Sequence, residues 1–175
     1  MLNPRITPCL LIHNKGLVKT IKFDNPKYVG DPINAVRIFN EKAVDELIIM
    51  DIDASVQNRE PDYKMIENIA NECRMPLCYG GGIKSTLQAQ KILSLGVEKI
   101  AISSAFFDNP NLINEISDKL GRQSVVVVLD VKKKLFGGYE VYKHNAKTKI
   151  KQDYQELVEA AQKIGAGEIV INSID

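Results

Sequence analysis

Residues 45–53 read DELIIMDID and residues 167–175 read GEIVINSID, two short apolar runs that each end in Asp and align at an offset of 122. A second pair recurs at almost the same spacing, Cys9-Leu10-Leu11-Ile12 against Val128-Leu129-Asp130-Val131, at an offset of 119. Two strand-like runs from each half matching at nearly one offset make the chain a block of four βα units followed by the start of a second copy. Working outward, Val- and Ile-rich runs at 5–12, 46–52, 76–79, 98–103, 124–131 and 168–174 alternate with amphipathic stretches. That alternation belongs to βα units with a parallel sheet. The expected fold class is α/β, a (β/α)8 TIM barrel truncated after about six strands, because two full blocks would need about 240 residues. One incomplete barrel domain is expected over 1–175, with 1–121 the first half-barrel and 122–175 the start of the second.

The helices between these runs announce their ends. Asp31-Pro32, Ser85 and Asn109-Pro110 read as helix starts, and Gly96 and Gly121 as stops. Met65, Ile69 and Cys73, and likewise Tyr154, Leu157, Val158, Ala161 and Ile164, recur at helical spacing. In the lysine-rich run at 132–149, Gly137-Gly138 separates two short arms and predicts a hairpin after the fifth strand.

Composition excludes several classes of function. With 23 basic and 22 acidic residues in 175, no global charge speaks for nucleic acid or an anionic membrane. No apolar run approaches the roughly 18 residues of a membrane span, and residues 1–16 lack a long apolar segment with a small-residue cleavage site, so neither a span nor a leader is expected. Cys9, Cys73 and Cys78 are odd in number and lack zinc spacing, which reads as buried thiols in a reducing, cytoplasmic setting. The two histidines, His13 and His144, fall in different loops, so neither a metal site nor a Ser-His-Asp triad is expected. No cofactor is expected, and Gly80-Gly81-Gly82-Ile83 does not match the dinucleotide fingerprint.

That glycine run is still the sharpest local signal. Directly after a strand, its bare backbone can approach a phosphate at a helix N-terminus, or simply make a tight turn. Ser103-Ser104 would reach the same rim, though serines also cap helices there. Asp51, Asp53, Asp130 and Asp175 fall at or just past strand carboxyl ends, the catalytic face of a barrel. Asp130 stands out because ending so apolar a strand with a carboxylate carries a desolvation cost. Lys19 could supply a mobile cation over the same rim, although a lone loop lysine more often faces solvent. At the opposite face Arg5, Glu46, Lys99 and Glu168 begin strands and could form a neutral ring, or merely mark wet strand starts.

Taken in order, RITPCL, LVKT, Gly30-Asp31-Pro32, DELIIMDIDAS, PLCYGGGI, EKIAISS, SVVVVLDVK and GAGEIVINSID resemble the cyclase subunit of imidazole glycerol phosphate synthase along the whole chain. The resemblance implies a barrel that accepts ammonia from a glutaminase subunit docked on its floor, forming a heterodimer. Arg5, Glu46, Lys99 and Glu168 then match a charged gate for ammonia, and the substrate is a small molecule with two phosphates. Gly81, Gly82, Ser103 and Ser104 match one phosphate site, Lys19 a flexible loop over the active site, and Asp130 one of two catalytic aspartates. The position of the other is Leu11, and the internal repeat pairs Leu11 with Asp130 independently. LLIHNKGLVKT and INSID are more similar to a branch whose barrels, with a glutaminase, supply ammonia to a separate enzyme amidating a surface-polysaccharide sugar. Three readings follow: an ammonia-delivering subunit for sugar amidation, a histidine-biosynthesis cyclase with altered acid-base chemistry, and a non-catalytic scaffold that activates its glutaminase.

Overall fold

The computed structural model describes residues 4–135 and 137–174. Six parallel strands form its centre: β1 (Cys9–His13), β4 (Leu47–Asp51), β5 (Leu77–Gly80), β6 (Lys99–Ile102), β7 (Val125–Lys133) and β10 (Glu168–Ser173), adjacent in that order. All six runs expected from the sequence are therefore strands in one sheet. The first begins later than expected because Pro8 has no N–H to give a ladder.

Helices α1 (Pro32–Glu41), α2 (Tyr63–Glu72), α3 (Thr86–Ser94), α4 (Ser104–Asp108), α5 (Asn111–Leu120) and α6 (Tyr154–Lys163) return the chain between strands. Asp31 Oδ1 accepts from the Asn34 N–H at 3.1 Å and Ser85 Oγ from the Gln88 N–H at 3.2 Å. Each such cap contributes about 1 kcal/mol. Asn109 does not cap α5 with its side chain; it closes the short α4, which the sequence reading had not foreseen.

Alternation along the strands builds two cores. Leu47 and Ile49 of β4, and Val125, Val127 and Leu129 of β7, pack outward against the helices. Ile48, Cys78, Ala101, Val126 and Val128 point the other way and, with Met50 and Val170, line an apolar lumen.

Two antiparallel ribbons interrupt this scheme, one after each strand of the Leu11–Asp130 repeat. The second, β7 with β8 (Tyr139–Lys143) and β9 (Thr148–Lys149), contains the expected hairpin. The first, β2 (Gly16–Ile21) with β3 (Asp24–Gly30), replaces the loop expected around Lys19. Its cause is local: Asn14 and Lys15 adopt φ of 48° and 66°, so His13 and Gly16 pair and the chain doubles back on β1.

Candidate functional site at the carboxyl rim

Gly81, Gly82, Ser103, Ser104 and Asp130 all line one cavity of about 510 Å³, and so does Leu11. The cavity opens at the carboxyl ends of the strands and reaches down to the lumen residues Ile48, Ala101 and Val128. Lys19 does not line that cavity; it is exposed on β2, across from Lys27, in keeping with the solvent-facing alternative. Among the described residues, the basic side chains that line the cavity are Lys84 and His144. Cys9 also opens to the cavity, so only Cys78 of the three thiols is fully buried.

The three described rim aspartates differ in their partners. Asp51, whose side chain is fully buried, takes both oxygens to Arg59 Nη2, at 2.9 and 2.7 Å. It also accepts from the Asp53 and Ala54 N–H groups. Asp53 is bonded to His13 Nδ1 at 2.7 Å and accepts from the Asn14 N–H at 2.8 Å, fastening the β1–β2 turn. Both carboxylates thus hold loops in place. Asp130 has no cation within ion-pair distance among the described residues; its Oδ1 accepts from Asn172 Nδ2 at 2.7 Å. Burial pushes the Asp130 carboxyl up to about 6, and the hydrogen bond from Asn172 opposes that rise. A buried carboxyl titrating near neutrality can give or take a proton inside the cavity. Asp175 lies outside the described residues.

The glycine run has a packing reason as well as a chemical one. A Cβ on Gly81, at φ +126°, would stand 2.5 Å from the Asp51 carbonyl oxygen; one on Gly82 would stand 2.9 Å from Ala54 Cβ. The Gly82 N–H donates to Ser55 Oγ at 3.3 Å, and Ser104 Oγ accepts from the His144 N–H at 3.2 Å. Bare backbone here therefore lets the third βα turn pack on the second, and the same turn borders the cavity.

Below the lumen, the four charges picked from strand starts meet. Lys99 Nζ lies 3.0 Å from Glu46 and 2.8 Å from Glu168, and Arg5 reaches the same two carboxylates at 3.4 and 3.2 Å. Glu46 and Lys99 are buried, which rules out wet strand starts as a full account. Burial pulls the Lys99 ammonium down, but hydrogen bonds to Glu168 and Glu46 outweigh it and hold the group above its ordinary value.

Sequence reasoning missed Asn172, Arg59, Asn145 and the His13–Asp53 pair. Asn172 was within reach, because at the offset of the first repeat it is the counterpart of Met50. Arg59 and Asn145, whose side chain donates to the Ile52 carbonyl at 3.2 Å, carry no pattern that would single them out. Among the described residues no group of His, Cys, Asp and Glu is placed to hold a metal ion, and no helix is long and apolar enough to cross a membrane.

A parallel (β/α) sheet curved around an apolar lumen, with a charged floor and a carboxylate in the rim cavity, defines an α/β barrel protein with its site at the carboxyl face. Residues 5–175 match the family described as “Histidine biosynthesis protein”. A Vibrio vulnificus (strain YJ016) protein named “Putative imidazole glycerol phosphate synthase subunit hisF3” is 57% identical over 176 residues, which cover 100% of this chain and 68% of the relative. The Pseudomonas aeruginosa PAO1 protein of the same name, with the suffix hisF2, is 54% identical over 175 residues, 100% of this chain and 70% of its own length. A Lactococcus lactis subsp. cremoris (strain SK11) protein named “Imidazole glycerol phosphate synthase subunit HisF” is 39% identical over 176 residues, with 100% and 68% covered. The chain belongs to the histidine biosynthesis family, as a HisF-type imidazole glycerol phosphate synthase subunit.

Proposed function

We propose that this barrel receives ammonia from a glutaminase subunit through its floor and delivers it, at the rim, for amidation of a surface-polysaccharide sugar. The observation that carries the reading is a complete floor beneath an incomplete rim. Arg5, Glu46, Lys99 and Glu168 form a closed set of ion pairs under an apolar lumen, while the rim cavity has Leu11 where the half-barrel repeat places the counterpart of Asp130. Neutral ammonia crosses an apolar passage without the desolvation penalty of a charged species. A leucine cannot transfer a proton, and a positioned acid or base contributes on the order of 10²- to 10⁴-fold to a rate. The Gly81, Gly82, Ser103 and Ser104 edge, with Lys84 and His144, suits a phosphorylated ligand in the same cavity. Asp130 serves there as the single proton-handling carboxyl.

The partner reading is tested by glutamine hydrolysis. A glutaminase subunit should hydrolyse glutamine faster when mixed with the barrel, and Lys99→Met in the floor should remove most of that gain. A glutaminase indifferent to the barrel would contradict the proposal. The cyclase reading is kept by one observation, the buried Asp130 whose carboxyl burial pushes up to about 6, and cyclisation assays of Leu11→Asp separate the two readings.

A further inference from the structure

The top of the lumen presents an unusual polar pair. Asp130 and Asn172 sit side by side in register on β7 and β10, and both line the rim cavity just above Val128 and Val170. Their mutual bond uses Asp130 Oδ1 and Asn172 Nδ2. Asp130 Oδ2 and Asn172 Oδ1 have no hydrogen-bond partner among the described residues, so the pair offers the cavity two acceptors, one of them on an anionic group. Acceptors beside a carboxylate repel phosphate and suit a small ligand rich in N–H donors.

Resting on the ammonia-delivery reading, we propose that the Asp130–Asn172 pair is an ammonium-binding station at the exit of the lumen. Ammonia arriving at the protonated carboxyl takes its proton: the O–H bond of Asp130 breaks, an N–H bond forms, and an ammonium–carboxylate pair results. Asn172 Oδ1 accepts a second N–H, which fixes the ion in place. The reverse transfer returns the proton to Asp130 and releases neutral, nucleophilic ammonia toward the rim, so no other reactant is consumed. A carboxyl pushed up by burial suits this exchange better than one with its ordinary value, since its proton is present part of the time near neutrality. The other titratable side chains lining the cavity are Cys9, Asp51, Lys84, Asp108 and His144. Asp51 is occupied by Arg59, Lys84 by Asn58 and Asp108 by Lys143, which leaves Asp130 as the carboxylate free to take a new cation.

The test follows the Asp130 carboxyl by NMR of Asp-labelled protein through a pH titration in ammonium chloride and, at equal ionic strength, in potassium chloride. Ammonium should lower the Asp130 midpoint by roughly one pH unit, as a bound opposite charge does, and potassium should not. Asn172→Leu should abolish most of the ammonium effect, whereas Lys119→Gln, exposed on α5 and outside the cavity, should leave it intact. An equal response to both salts, or none in ammonium, would overturn the station. Glutaminase activation by the same preparation is scored in parallel, so a barrel that activates its partner yet ignores ammonium defeats the station alone. A barrel that fails to activate a glutaminase defeats the delivery reading, whatever its titration shows.

Discussion

Asn172 stands directly beside Asp130 across β10 and β7 and donates to its carboxylate at 2.7 Å; in the same register of the first half, Met50 stands beside Leu11 across β4 and β1. The polar pair and the apolar pair occupy equivalent places in the two repeats. One side of the rim can therefore handle protons and the other can only pack. The proposed function rests on that asymmetry.

Asp130 should make stability fall as pH rises. Its folded-state carboxyl is held near 6 against an ordinary 3.8, so the folded chain binds the proton more tightly than the unfolded one. The stability this group contributes is full below about 4 and is lost as pH climbs through about 6, by about 3 kcal/mol in all. Asp130→Asn should stabilise the protein by up to that amount at pH 8 and change little at pH 4. Thermal midpoints across the range check this, and parallel profiles for parent and variant would contradict it.

The floor should behave as one electrostatic unit. Lys99→Met leaves Glu46, only 4% exposed, without its ammonium partner, and should cost about 3 kcal/mol. Lys99→Met with Glu46→Gln should recover most of that loss, since the buried carboxylate charge goes with the ammonium and Arg5 keeps Glu168. Denaturant midpoints of parent, single and double variants form the cycle; additive losses would show that the charges act separately.

Gly81 should be intolerant for reasons of packing alone. Gly81→Ala would place a methyl 2.5 Å from the Asp51 carbonyl oxygen at a φ of +126°, and should cost about 1–3 kcal/mol. Gly137→Ala, at φ +91° with open space around it, should cost about 1 kcal/mol. Equal midpoints for the two would show that the third turn yields, and that its glycines serve a ligand rather than the fold.

The sheet was legible because βα periodicity and the internal repeat are both properties of short windows. Long-range pairing of Arg5 and Glu168 was legible only through strand position: residues at the amino ends of parallel strands share one end of the sheet whatever their separation in the chain, even for β1 and β10, which do not pair with each other. The β2–β3 ribbon was not legible, since Asn14-Lys15 and Lys22-Phe23 make their turns in left-handed backbone without glycine at either central position. That hidden ribbon is why Lys19 was expected over the site and is found outside it. The roles of Asp51 and Asp53 were hidden too, because Arg59 and His13 meet them through loop geometry that no spacing rule encodes. What residue order did convey about Asp130, a carboxylate set among the apolar residues of β7, was its unusual burial.

The central claim is that the rim has lost the acid-base pair needed for cyclisation while the floor still serves ammonia. Turnover of the imidazole-pathway substrate with ammonium should be measured for the parent, Leu11→Asp and Asp130→Asn. We expect no measurable cyclisation by the parent or by Asp130→Asn, and a gain on the order of 10²-fold or more above background for Leu11→Asp. A parent that already cyclises efficiently, and loses the activity only with Asp130→Asn, would contradict the account and make this barrel a working cyclase.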